Sequence, residues 1–148
     1  MHNLVASLAS TYPHFTFKKG AHFRWDPDTA TITYENLTAL NTLSLLHEVG
    51  HGVLGHASFT SDADLLQKEL AAWEEAKKLA KHFGVPFDNE YMQDCLDTYR
   101  DWQFLRSRCP LCTLQGIQKS PTGFYCLNCS HMWNVSQERF CRPYRLSA

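Results

Sequence analysis

Leu43-Ser44-Leu45-Leu46-His47-Glu48-Val49-Gly50-His51-Gly52-Val53-Leu54 is the stretch on which the fold turns. Leu43, Leu46, Gly50 and Leu54 recur at helical spacing on the face that also carries His47 and His51. Residues i and i+4 stand one turn apart on the same face of a helix. The two imidazoles can therefore reach one Zn2+ at about 2.0–2.1 Å. Glu48 adjoins the first histidine, where its carboxylate can take a proton from a water at the metal and later pass it to a leaving amine. Gly50 and Gly52 cost helix propensity, which is tolerable where something must approach the helix closely. His-Glu-x-x-His specifies only three residues and recurs by chance, so its surroundings must support it.

A catalytic zinc takes three protein ligands and leaves one position open. A third histidine six residues after His51 would fall on Ala57, and His56 is one residue early. The other source is a glutamate on the next helix, expected from a Ser61-Asp62 N-cap to about Phe83 and stopped by Gly84-Val85-Pro86. There, Leu65, Leu66, Ala72, Trp73, Ala76, Leu79, Ala80 and Phe83 form one apolar stripe with Glu69 at its centre. Glu74 and Glu75 fall toward a solvated side, where Glu74 is placed to pair with Lys78. A carboxylate in an apolar stripe is costly unless a cation or metal faces it. Glu69 is thus the expected third ligand and Glu74 the second choice. The plain alternative pairs Glu69 with an arginine. His56 is taken as a candidate catalytic residue with three readings: an ordinary histidine, a partner that orients a ligand, or a donor to the oxyanion. His82 and Tyr91 are weaker oxyanion candidates.

On either side of these helices the pattern changes. Residues 14–17, 22–25 and 29–34 alternate or are β-branched around Lys19-Gly20 and Asp26-Pro27-Asp28, which predicts a small, mostly antiparallel sheet. A third helix fits Asp88 to about Leu105, with Met92, Cys95, Leu96, Tyr99 and Trp102 as its apolar stripe. The expected class is α+β: a small sheet on the active-site helix and two further helices, followed by a cysteine module.

Cys109-Pro110-Leu111-Cys112 and Cys126-Leu127-Asn128-Cys129 form a C-x2-C-x13-C-x2-C array. Two tight turns offering two thiolates each close a tetrahedral site, the mark of a structural zinc. A module this short buries little core, so metal binding should supply its folding energy. Two disulfides or a redox pair are the rival reading. His131 would be a surplus ligand, Cys95 belongs to the core and Cys141 has no evident partner.

The charge divides at the same place. Residues 1–106 hold 9 Lys/Arg and 14 Asp/Glu, a balance of -5, and residues 107–148 hold 5 and 1, a balance of +4, together the -1 of the whole chain. The expected domains are 1–106 and a zinc ribbon at 107–148. With 148 residues, 44% hydrophobic and 20% charged, the composition is globular, and the net charge excludes a chain-wide basic field. No apolar run approaches the ~18 residues of a membrane helix. Met1 to Ser10 lacks a basic segment leading into a long apolar stretch, and four cysteines stand in close pairs. A reducing cytoplasm with no membrane partner is therefore expected.

The stretch His47 to His56, with Glu69-Leu70-Ala71-Ala72-Trp73 after it and the Trp25-Asp26-Pro27 to Ile32 hairpin before it, resembles the ImmA/IrrE-type zinc metallopeptidases over about residues 14–85. The resemblance implies His47, His51 and Glu69 as zinc ligands of a gluzincin-like site. It implies Glu48 as the catalytic carboxylate and peptide hydrolysis inside the cell, often on a regulator. The added ribbon is similar in layout to SprT-like proteases, which usually use a third histidine. The expected protein is a zinc-dependent hydrolase of an intracellular protein or peptide substrate. It would hold two zinc ions, one catalytic and one structural on Cys109, Cys112, Cys126 and Cys129. A substrate strand is expected to add to the sheet near Ile32 to Tyr34. The rival is a non-catalytic module whose basic ribbon docks nucleic acid or a protein, with Tyr125, Trp133 and Tyr144 either stacking bases or covering a tiny core.

Overall fold

The computed structural model describes residues 3–137 and the strand at 145–147. Its elements run α1 (Leu4–Thr11), β1 (Thr16–Lys19), β2 (Arg24–Asp26), β3 (Thr31–Tyr34), α2 (Thr42–Val53), α3 (Asp62–Phe83), α4 (Asn89–Ser107), β4 (Ile117–Gln118), β5 (Gly123–Tyr125), β6 (Met132–Val135) and β7 (Arg145–Ser147). The class is α+β. None of the described helices is long and apolar enough to cross a membrane. The chain gathers into two compact units, residues 1–58 with 68–92 and residues 59–67 with 93–148.

In the first unit the three short strands appear where the alternation placed them, in the order β1-β3-β2. β2 pairs antiparallel with β3, Trp25 opposite Ile32, while β1 runs parallel to β3, Phe17 opposite Ile32. β3 is therefore the central strand, with Ile32 fully buried. This corrects the expected substrate edge: Ile32 and Thr33 already have a partner on each side, Tyr34 has one on β1, and the outer strands are β1 and β2. Helix α1, capped by the Asn3 side chain on the Ala6 N–H, buries Leu8 and is an element that the sequence pattern did not mark.

The apolar face of α2 is buried at Leu43, Leu46, Val49 and Gly50, while Leu54 caps the helix and is exposed. α3 buries Glu69, Ala72, Trp73, Ala76, Leu79 and Ala80, the middle of the predicted stripe with its carboxylate included, while Leu65, Leu66 and Phe83 at its ends are half-buried. Lys78 pairs with Glu75 at 2.8 Å rather than with Glu74, one residue nearer along the same face. Gly50 explains how close α2 and α3 come. A Cβ added there would lie 2.5 Å from the Ala72 carbonyl oxygen, a backbone atom that cannot swing aside.

The second unit holds a four-stranded sheet in the order β4-β5-β6-β7, antiparallel throughout. Its small core is Cys109, Phe124, Cys126, Trp133 and Val135. Arg106, 1% exposed, is a second centre. It holds Asp62 at 2.8 Å, donates to the carbonyls of Pro121 and Ser136, and lies over the Trp102 ring. The Gln118 side chain completes the pair by donating to Asp62 and accepting the Asp62 N–H. A buried ion pair tolerates desolvation only with such added hydrogen bonds.

Gly50→Ala is expected to destabilise the protein by up to about 2 kcal/mol: overpacking costs about 1–3 kcal/mol, and alanine recovers ~1 kcal/mol over glycine inside a helix. Denaturant unfolding of the two chains checks it; a more stable variant would refute the close approach.

Candidate metal centres

Helix α2 delivers His47 and His51 from successive turns, and α3 delivers Glu69 opposite them. The donor atoms of the three lie within 4.8 Å of one another. His47 Nε2 stands 3.1 Å from His51 Nε2 and 3.0 Å from Glu69 Oε2, and His51 Nε2 stands 3.3 Å from Glu69 Oε1. Nitrogen and oxygen donors held about 2.0–2.1 Å from a tetrahedral ion such as zinc are about 3.3 Å apart along the tetrahedron's edges. The three observed separations match that edge.

Burial makes the cluster demanding. His47 is 6% exposed and Glu69 4%. Glu69 Oε2 faces His47 Nε2 but has no partner in hydrogen-bond geometry, and His47 Nδ1 is likewise buried without one. Burial pushes the Glu69 carboxyl up, but the adjoining imidazoles of His47 and His51 outweigh it and hold the group at about 2. Three lone-pair donors converge on one point from rigid helices. Such a set fits a divalent cation better than it fits a single shared proton.

His56 sits behind His51, Nδ1 to Nδ1 at 2.8 Å. When His51 turns its Nε2 lone pair inward, its Nδ1 carries the hydrogen and donates to His56. Burial, then the nearby His51 and Lys68 charges, lowers the His56 pKa, which favours the neutral ring that can accept. Of the three readings of His56, this contact is the one of a residue that orients a metal ligand. On the opposite side the His47 ring stacks on Trp73, centroids 4.4 Å apart.

Glu48 points to the sheet. Its Oε2 accepts the backbone N–H of Trp25 at 2.8 Å, which fixes one carboxylate oxygen and leaves Oε1 for another partner. Glu74, the second choice for the third ligand, is exposed, and so is His82. The Tyr91 hydroxyl is 2.7 Å from Ser44 Oγ.

The cysteine turns form a second cluster, again with all donor atoms within 4.8 Å. Cys109 and Cys129 sulfurs are 3.6 Å apart and those of Cys112 and Cys126 are 3.4 Å apart. These spacings are far beyond the ~2.05 Å of a disulfide and near the ~3.8 Å edge of a four-thiolate tetrahedron. The two turns repeat one geometry. Thr113 N–H donates to the Cys109 carbonyl and Ser130 N–H to that of Cys126, at 3.0 and 2.9 Å. Thr113 and Ser130 both take the left-handed conformation, φ 66° and 62°. Backbone N–H groups aim at the sulfurs. The Leu114 amide and then the Asn128 side chain bring the Cys112 thiol down to about 6. For Cys129 the His131 amide acts in the same direction, but burial and the other three sulfurs overcome it and push that thiol up to about 12. Four thiolates cannot all form side by side without a cation among them.

No family model, curated protein or solved structure matches the chain. What the described residues establish is metal-binding geometry at two places.

Of the ribbon aromatics expected to stack bases, one is buried in the unit's small core. Trp133 is 1% exposed, and its indole N–H donates to the Arg106 carbonyl. Tyr125 is half-buried, and Tyr144 and Cys141 lie outside the described residues. Trp25, which the sequence marked only as part of a hairpin, emerges beside the site. Its signal was slight: a tryptophan on the short strand before the His-Glu-x-x-His helix.

Glu69→Ala is expected to remove one bound metal ion while the cysteines keep theirs. Native mass spectrometry of the zinc-loaded chain checks this; two ions retained after the change would refute Glu69 as a ligand.

Proposed function

We propose that the protein is a zinc-dependent peptidase, with a catalytic zinc on His47, His51 and Glu69 and a structural zinc on the four cysteines. The observation that carries this reading is the meeting of the three donor atoms within 4.8 Å, with Glu48 next to His47 on the same helix and its carboxylate anchored to the Trp25 N–H. Three ligands leave a tetrahedral ion one open corner, whereas four cysteines leave none. The resemblance of residues 47–56 and 69–73 to ImmA/IrrE-type metallopeptidases supports the same reading.

A zinc ion held there supplies Lewis acidity, lowering the pKa of a water toward ~7 and polarising the scissile carbonyl. The chain's own groups do the rest. The Trp25 N–H holds Glu48 Oε2, so Oε1 is the atom that takes the proton from the attacking water and returns it to the departing amine. His56 keeps the His51 ring turned so that Nε2 faces the centre. Burial of His47 and Glu69 excludes bulk water behind the site, which strengthens every charge interaction within it. The substrate class is a peptide segment of an intracellular protein, with a regulator as the expected kind of target.

The test is Glu48→Gln with a quenched-fluorescence peptide library. The variant should keep both zinc ions and lose cleavage by about 10²-fold or more, the scale of a lost general base. Cleavage at the rate of the unaltered chain would overturn the mechanism.

A further inference from the structure

Trp25 makes two polar contacts that converge on the same centre. Its backbone N–H donates to Glu48 Oε2 at 2.8 Å, and its indole Nε1–H donates to the His56 carbonyl at 2.7 Å. The His56 imidazole in turn meets His51 Nδ1 at 2.8 Å. The Trp25 ring is seated by its surroundings. It packs edge-on against Phe15 with centroids 5.2 Å apart, and a Cβ at Gly52 would come within 3.2 Å of it. The glycine after His51 is thus what lets the indole lie against α2.

His56 lies past the end of α2, on residues 54–58, where no helical hydrogen bond carries its main chain onward. Its amide is tied back to the His51 carbonyl at 3.0 Å. Its own carbonyl is held by the indole. A ring that must orient a metal ligand is therefore fixed at both sides of its peptide, once by the helix and once by strand β2.

We propose that Trp25 is a positioning residue for the histidine–glutamate metal centre, acting through His56 on the orientation of His51. The inference rests on the reading of His47, His51 and Glu69 as metal ligands and not on the hydrolytic step. One strand residue then places both the carboxylate and the ligand ring in a common frame, and β2 is coupled to metal affinity.

The test uses the full chain loaded with zinc and the variants Trp25→Phe, His56→Ala and the pair combined. Phenylalanine keeps an aromatic ring and the backbone N–H and removes the indole donor together with the indole's second ring. Zinc affinity at the histidine centre is measured by competition with a chelator, the cysteine-bound ion serving as the internal reference. His56→Ala should weaken the histidine centre about tenfold or more, as losing an outer partner of a metal-bound histidine does, and Trp25→Phe should weaken it by a smaller factor. The cysteine-bound ion should be held as tightly as before. The combined variant should lose no more than His56→Ala alone, because the two act in series. A full-length chain that binds one ion only, at the cysteines, would overturn the centre and this inference with it. Two ions in the unaltered chain with unchanged affinity in Trp25→Phe would overturn this inference alone. Losses that multiply in the combined variant would show that Trp25 does not act through His56.

Discussion

An ionised carboxylate buried on the apolar face of a helix is the constraint on which the first unit depends. Glu69 is 4% exposed, and water does not solvate it there. Leaving such a charge unpaired would cost several kcal/mol. It is tolerated because α2 passes close enough to set two imidazoles against it at 3.0 and 3.3 Å. That approach requires no side chain at Gly50, where the Ala72 carbonyl occupies the space a Cβ would need. The propensity lost at a mid-helix glycine is therefore the condition for the charge cluster. The same logic holds at Gly52, where the space is taken by Phe15 and Trp25.

Much of this was legible along the chain because it is encoded by local spacing. The four-residue step from His47 to His51 is a property of any helix, and the position of Glu69 in its stripe follows from 3.6 residues per turn. The two Cys-x-x-Cys pairs declare themselves in the same way, since each is one turn of chain. The α+β class followed from the switch between alternating and helical periods. What was not legible depends on pairing at a distance. The alternation of residues 31–34 marks a strand but not its two neighbours, so it does not separate an edge from the central position that β3 holds. His56 fits several roles by sequence, and only the ring-to-ring contact with His51 separates them. Trp133 looked like an available aromatic because nothing local shows that its indole is buried on Arg106.

Arg106 shows the same limit from the other side. In the sequence it is one cation near the point where the charge balance changes sign. In the fold it is almost fully buried, bound to Asp62 from the start of α3 and to the carbonyls of Pro121 and Ser136. A guanidinium offers five donors in a rigid fork, so it can satisfy several acceptors that no apolar residue could. The small core around Phe124 and Trp133 could not bury those carbonyls unaided. The ion pair and the metal cluster thus divide the work of holding a unit with few large apolar residues.

The two clusters differ in what their scaffolds leave open. The cysteines come from two copies of the same turn, each strained into the left-handed region at Thr113 and Ser130, and together they surround a point with four sulfurs. Repetition closes the shell. The histidine cluster comes from two helices that meet along one line, and a pair of cylinders can supply donors only from their facing sides. Three groups fill that line, with His51 braced by His56 and His47 by the Trp73 ring. Among the described residues no fourth histidine, cysteine or carboxylate joins this cluster. A three-donor set is thus what a helix pair offers where two repeated turns offer four.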